Sequence, residues 1–375
     1  MPPDILPPAD ATRRGPRRFC ALLLLALSLS ACAATPSGQQ APAAPVERPA
    51  WTLVVHGGAG TMDRERMGPE TEAAYRAALS AALERGGAVL EAGGSALDAV
   101  EAVIRGLEDD PQFNAGRGAV FTADGRIELD AAVMDGATLK AGAVAGVTGV
   151  RHPVTLARAV MERSPHVMLI GAGAEQFGRE AGVEQAPPAW FFTEWRWQSL
   201  LRTLRQRGLP LPPRPADAPP EPAADAAAAY RPEDRKFGTV GAVALDRQGH
   251  VAAATSTGGT TAKIWGRVGD VPVIGAGTYA SDRSCAVSAT GTGEYFIRLG
   301  VARSICTLVE LRGMGLQAAA DEVIGRNLTE LGGDGGVIAV TPDGQVAWSF
   351  NTSGMYRARQ VAGGAPVVAI FRGEP

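Results

Sequence analysis

The sequence is short of the features that would announce a partner by charge or a metal by its ligands. Its 36 Lys and Arg nearly balance 39 Asp and Glu, a formal net charge of −3, so there is no basic footprint for nucleic acid. Four histidines and four cysteines are scattered over 375 residues, and their spacing matches no metal-site pattern. No internal repeat of about 20–50 residues recurs, which argues against a solenoid or propeller. Hydrophobic residues make up 46% and charged residues 20%, proportions of a globular chain and not of a disordered one. The length allows one large or two ordinary domains. What is plentiful is glycine, at 47 residues, gathered in short motifs that suggest close backbone turns around a site.

The only long apolar run lies at residues 21–29, too short to span a bilayer. Arg13, Arg14, Arg17 and Arg18 precede it, and Leu29-Ser-Ala-Cys32 closes it. Residues 1–32 therefore form a targeting segment to be set aside from the fold. The closing tetrapeptide resembles the lipobox of bacterial lipoprotein signal peptides. That resemblance implies cleavage before Cys32 and its acylation, giving a stable anchor on the periplasmic side of a bacterial membrane, the outer membrane in a Gram-negative cell. Cleavage by ordinary signal peptidase is the alternative. Residues 33–50, rich in Ala, Pro, Gln and Ser, serve as a tether. Of the cysteines, only Cys285 and Cys306 then remain in the globular part. Two buried free thiols are the expectation, with a disulfide as the alternative in an oxidising compartment.

Globular character begins at Trp51. Residues 51–55 suggest a buried strand running into His56-Gly-Gly-Ala-Gly60. No Lys-Ser/Thr pair follows, so this is no phosphate loop. Backbone packing beneath a site is the better reading, with His56 as readily structural as catalytic. Helices are expected over 70–90, over 95–107 with Ser95 as N-cap and Asp98 three residues on, and from His152-Pro153 to 163. Strands are expected at 126–134, 142–148 and 166–170. Gly171-Ala-Gly173 is not a dinucleotide fingerprint, because its third glycine is misplaced and no acidic residue follows at the needed distance. Residues 189–207 are expected to be helical. Residues 209–230 form a Pro/Ala linker on which no structure is imposed.

Beyond the linker, Lys236-Phe-Gly-Thr239-Val-Gly-Ala-Val-Ala-Leu-Asp246 changes character abruptly. Residues 240–245 form a buried strand, paired through a glycine turn with 251–255. Thr239 sits on the boundary. Read plainly, it is a β-branched residue opening a strand. Read as chemistry, it is placed to become a new N-terminus whose hydroxyl is the nucleophile and whose own freed amine is the base. Helices at 295–311 and 315–331 and strands at 336–340, 346–350 and 367–371 complete the second half. Strands cluster centrally with helices outside, giving an α+β fold of two packed sheets covered by helices.

Four segments share the second half: Gly238-Thr239-Val-Gly, Thr255-Ser-Thr257-Gly-Gly259, Gly266-Arg267-Val-Gly-Asp270 and Ala289-Thr290-Gly291-Thr-Gly293-Glu294. With His56-Gly-Gly-Ala-Gly60, Asn114-Ala-Gly-Arg-Gly-Ala-Val-Phe-Thr122, Glu128-Leu-Asp-Ala131 and Met134-Asp-Gly136, they resemble the N-terminal-nucleophile hydrolases of the type 2 asparaginase/isoaspartyl peptidase family. The likeness runs from about Trp51 to the C-terminus, the linker apart. It departs at Thr260 and Ala262, where larger and amide-bearing residues are common.

The resemblance implies a four-layer αββα sandwich, residues 51–375, and a precursor that cuts itself between Gly238 and Thr239. Residues up to 238 would form the α chain, with 209–236 its flexible linker, and residues 239–375 the β chain. Thr239 would be the nucleophile, its α-amine the base. A free α-amine titrates at about 7.7–8.0, close enough to neutrality to serve. Thr257 would orient the Thr239 hydroxyl, Thr290 and Gly291 would supply oxyanion donors, and Asn114 would lie by the scissile bond. Arg267 would clamp the substrate α-carboxylate, while Asp270 and Gly293 would take its α-ammonium. The loop with Leu107, Glu108, Phe113, Ala115 and Arg117 would hold a structural sodium ion through main-chain carbonyls. No cofactor for catalysis is implied. The implied assembly is (αβ)2, with a membrane contact through the lipid alone and no nucleic acid. The implied activity is release of aspartate from L-asparagine and β-aspartyl dipeptides. The alternatives are a glycosylasparaginase-type amidase and an inactive lipid-anchored module of the same fold.

Overall fold

Alternation along the strands decides the layering. In the computed structural model, which describes residues 48–220 and 238–375, strand β5 (Val240–Leu245) is buried along its whole length. Val240, Ala242 and Ala244 turn to one apolar cluster, Val243 and Leu245 to another. A period of two with both faces apolar means a strand covered above and below.

The strands form two sheets. The larger runs in the order β12-β11-β1-β5-β6-β2-β3-β4 and the smaller β10-β9-β8-β7. The members of the first are β1 (Thr52–Gly60), β2 (Leu129–Asp135), β3 (Ala141–Val147), β4 (Met168–Ile170), β5, β6 (Val251–Thr257), β11 (Gly354–Val361) and β12 (Val367–Phe371). The second contains β7 (Thr278–Ala280), β8 (Ala286–Gly291), β9 (Gly335–Val340) and β10 (Val346–Phe350). Every named pairing is antiparallel except β3 with β4.

Three cores separate four layers. Val54, Val243, Leu245 and Val251 meet Ala286, Ile338 and Val340 between the sheets. Outside the larger sheet pack α2 (Pro69–Glu91), α3 (Ala96–Asp109) and α4 (Pro153–Arg163), through Leu79, Leu83, Val100, Val103 and Ile104 among others. The short α1 (Arg64–Met67) leads into them, and α5 (Gly171–Glu180), α6 (Pro188–Phe191) and α7 (Glu194–Arg207) follow. Outside the smaller sheet lie α8 (Gly293–Leu299), α9 (Val301–Arg312) and α10 (Leu316–Asp321), with Phe296, Ile305, Leu316 and Ile324 against Val287, Ala289 and Val337. This is the αββα sandwich.

Local signals hold where they were strong. Ser95 caps α3, its hydroxyl accepting from Asp98 N at 3.1 Å while Asp98 reaches back to Ser95 N, a capping box. Other expectations need correction. Strand β1 does not stop at residue 55 but runs through the glycine cluster to Gly60, with an irregularity between His56 and Gly58. The helix expected over 295–311 is two helices, because Gly300 adopts a left-handed conformation between them. The segment 189–207 is likewise split into α6 and α7. Cys285 and Cys306 are not free thiols: they form a disulfide joining the residue before β8 to α9. The tether's last residues are docked, Arg48 Nη2 donating to Arg247 O at 3.0 Å. The targeting segment with Cys32, the tether as far as residue 47 and the linker over 221–237 lie outside the described residues. No helix among the described residues is long and apolar enough to cross a membrane.

Candidate active site

Register brings the nucleophile candidate to its neighbour. Val240 of β5 pairs with Ser256 of β6, so Thr239, one residue earlier, lies level with Thr257, one residue later. Thr239 Oγ1 donates to Thr257 Oγ1 at 3.0 Å. Both are buried, Thr239 at 8% exposure and Thr257 at 2%. Strand β6 extends two residues past the expected end at 255, so the Thr257 hydroxyl is held by a sheet and not by a loop.

The carbonyl before Thr239 is gripped from two directions. Gly238 O accepts from Asn114 Nδ2 at 2.6 Å and from Thr257 Oγ1 at 3.1 Å. Asn114 cannot turn away. Its Nδ2 also donates to Gly259 O at 2.8 Å and its Oδ1 accepts from Val120 N at 2.9 Å. A flipped amide would set its oxygen against two carbonyls. Two donors on one carbonyl oxygen stabilise the negative charge that develops when a nucleophile adds to its carbon. The neighbouring hydroxyl is that of Thr239, the next residue in the chain.

The hydrogen-bond partner of the Thr239 hydroxyl among the described residues is Thr257, and no carboxylate or imidazole takes its proton. His56 lies one strand away on β1, fully buried, with Nε2 at 3.0 Å from Ser288 Oγ. Burial pushes its pKa down to about 3, despite a backbone hydrogen bond with Thr239. It is therefore a neutral structural imidazole between the sheets. Ser288 continues to Thr255 Oγ1 at 2.7 Å, and Thr278 Oγ1 donates to Thr255 Oγ1 at 2.7 Å. A side chain at Gly241 would collide with both His56 and Ser288, which explains glycine there. Single residues spread over three strands left no local sequence pattern for this chain of hydroxyls.

Across from Thr239, β8 ends in Thr290 and Gly291. Thr290 is buried, and its hydroxyl accepts from Ala59 N at 3.4 Å. Beyond them, Arg267, Asp270 and Gly293 converge. A Cβ at Gly293 would lie 2.8 Å from Asp270 Oδ1 and 2.9 Å from Arg267 Nη2, so any side chain there would close the gap between the two charged groups. Burial pushes the Asp270 carboxyl up to about 7, and its Oδ2 is buried with no hydrogen-bond partner among the described residues. A buried carboxylate with an open oxygen is suited to an ammonium. Arg267, the expected clamp for a carboxylate, already holds one from its own chain. Its Nε and Nη2 each donate to Glu294 at 3.0 Å, a bidentate pair with a half-exposed carboxylate that leaves Nη1 outside it. Glu294 stood in the motif without a role assigned to it. Lys263, also unassigned, is buried, donates to Glu128 O at 2.9 Å and has its pKa lowered by burial. The Glu128-Leu-Asp130 motif was its only signal.

The loop proposed for sodium curls between α3 and the short helix Gly116–Gly118. The carbonyl of Glu108 lies against Gly116 and that of Phe113 against Gly118, while Ala115 O accepts from Gly118 N at 3.2 Å. One oxygen of the Glu108 carboxylate accepts from Ser256 Oγ at 2.6 Å and Val154 N at 3.1 Å, and the other is buried 3.3 Å from His152 Nδ1. Among the described residues no group of three or more His, Cys, Asp or Glu could hold a metal.

Comparison with known proteins follows this geometry. The asparaginase family, in its type 2 form, matches residues 49–370. The chain is similar to an isoaspartyl peptidase of Escherichia coli (strain K12), 51% identical over 320 residues, which is 85% of this chain and 96% of that protein. An isoaspartyl peptidase of Salmonella typhimurium is 52% identical over 85% of this chain and 98% of its own length. A plant-type L-asparaginase of Thermococcus kodakarensis is 42% identical over 81% and 94% respectively.

Proposed function

The chain belongs to the asparaginase 2 family, and on that premise we propose that it is a self-processing threonine amidohydrolase releasing L-aspartate from β-aspartyl dipeptides and L-asparagine. The observation that carries the proposal is the Thr239 hydroxyl, 3.0 Å from Thr257 Oγ1, beside a Gly238 carbonyl held by two donors.

In self-processing, Thr239 Oγ adds to the Gly238 carbon, the C–N bond to Thr239 breaks, and the hydroxyl proton ends on the departing Thr239 nitrogen. The oxyanion rests on Asn114 and Thr257, and water then hydrolyses the ester. The freed α-amine of Thr239 becomes the base that the site otherwise lacks. In turnover, it takes the hydroxyl proton as Thr239 Oγ attacks the substrate β-carbonyl, with Thr290 and Gly291 at the oxyanion. Arg267 binds the α-carboxylate, and Asp270 with the Gly293 carbonyl binds the α-ammonium. The proton passes to the leaving nitrogen. Water then adds to the β-aspartyl ester, its proton returning through the amine, and aspartate departs.

Thr239→Ala is the test. The variant should run as one unbroken chain and lose at least about a thousandfold in aspartate release, with Thr239→Ser regaining part of both. Two chains, or retained turnover, in the alanine variant would end the proposal.

The remaining features are proposed on the same footing. A sodium ion on the carbonyls of the 107–117 loop would raise the melting temperature in sodium over that in tetramethylammonium chloride. Equal melting in the two salts would remove it. A lipid anchor on Cys32 and a periplasmic location are supported by the leader composition and by the Cys285–Cys306 disulfide, which belongs to an oxidising compartment. Assembly as (αβ)2 rests on family resemblance.

A further inference from the structure

A cavity of about 570 Å3 opens beside the scissile carbonyl. Asn114, Gly238 and Gly259 form its inner wall, and helix α7 forms its outer wall. Arg267 and Asp270 take no part in the lining, so the cavity is additional to the cluster that would hold the aspartyl group. Its size is informative. Ammonia, the product from L-asparagine, needs little more room than one water molecule, about 30 Å3. A space many times larger matches an amino acid as leaving group and falls in the range of ligand sites.

Its charge is informative too. Arg196, Arg202 and Arg207 of α7 line it, and no Asp or Glu side chain does among the described residues, so the carboxylate that scission would leave at Gly238 sets one anion against three cations. Arg196 is buried and committed to Gly118 O at 2.8 Å. Arg207 is exposed, with Nη1 donating to Ala262 O at 3.3 Å. A guanidinium has five N–H donors, so this bond steadies the side chain and leaves several directed elsewhere. Arginine stays cationic at all working pH values and forks onto carboxylates.

We infer that this cavity is the leaving-group subsite and that its arginine wall selects β-aspartyl dipeptides whose second residue is acidic over those whose second residue is basic. The inference rests on the amidohydrolase reading above and adds to it. Every such dipeptide brings one α-carboxylate from its leaving residue. A glutamate adds a second anion to the cationic wall, and a lysine adds a repelled cation.

The experiment is kcat/KM, from released aspartate, for β-aspartyl-glutamate, β-aspartyl-leucine and β-aspartyl-lysine, each divided by the value for L-asparagine. At low salt the glutamate peptide should exceed the lysine peptide by about tenfold or more, or about 1.4 kcal/mol. The gap should narrow in about 0.5 M salt, because partly exposed charges are screened. Arg207→Gln should shrink the ratio at least threefold, and Arg207→Lys should keep most of it. Equal rates for the glutamate and lysine peptides, or a ratio untouched by Arg207→Gln, would overturn the inference while leaving the hydrolase intact. Absence of aspartate from every substrate, L-asparagine included, would instead overturn the reading beneath it.

Discussion

At the scale of single residues, the site separates groups that must be charged from groups that must not. His56 is held neutral by burial, with its pKa near 3, and cannot compete with Arg267 for a carboxylate. Asp270 carries the opposite burden. Its folded pKa of about 7 stands above the ordinary 3.8 because burial penalises its charge. A carboxyl that holds its proton more tightly when folded contributes most to stability below about pH 4. That contribution is lost as pH rises toward 7, so the native state pays for the charge above it. Asp270→Asn should therefore raise the melting temperature at pH 8, where the penalty is on the order of 4 kcal/mol at most. The gain should vanish at about pH 4, and calorimetry at the two pH values checks this. Aspartate release should collapse in the same variant, since the ammonium loses its counter-charge. These residues were legible because they stand in short motifs resembling those of the asparaginase 2 family. Glu294 on Arg267 was not: a carboxylate 27 positions away becomes a partner only once α8 has been folded beside the loop.

At the scale of elements, strands and caps with strong local patterns emerge where expected, and those decided by partners do not. The Ser95 cap of α3 is purely local. Strand β11 was not foreseen, yet Gly354–Val361 lies between β12 and β1 and completes their pairing. Its Arg357 is buried at 1% exposure, donating to Met355 O and Glu374 O, a charge that no strand pattern anticipates. The Cys285–Cys306 disulfide similarly ties the residue before β8 to α9 across a separation of 21 residues. A loop of that length is worth about 3 kcal/mol. Cys285→Ala/Cys306→Ala should lower the denaturant midpoint by an amount corresponding to about 2–4 kcal/mol, whereas wild-type protein incubated with mild reductant should keep its midpoint, because both sulfurs are buried. Midpoints unchanged in the double variant would mean that the bond contributes little.

At the scale of the whole molecule, two sheets back to back place β5 second to none in burial, with its first residue at the site. Scission at that point would leave both chains interleaved in the same sheet, β1 and β2 from one flanking β5 and β6 from the other. The pieces therefore cannot drift apart without exposing the central core. Light scattering of the processed protein should give twice the mass of one α and one β chain together. Cys32→Ala in the full-length chain should move the protein from the membrane fraction to the soluble fraction in cells. An unchanged membrane fraction would rule out acylation at that cysteine.

Composition and periodicity already implied two covered sheets, and a handful of contiguous motifs named the chemistry, because each of those signals is complete within a few neighbouring residues. The pairing of Arg267 with Glu294, the hydroxyl chain from His56 to Thr278, the disulfide and the arginine-walled cavity were settled only by packing. Each depends on side chains far apart in sequence, and their distances, burial and charge environment exist only once the sheets have closed on one another.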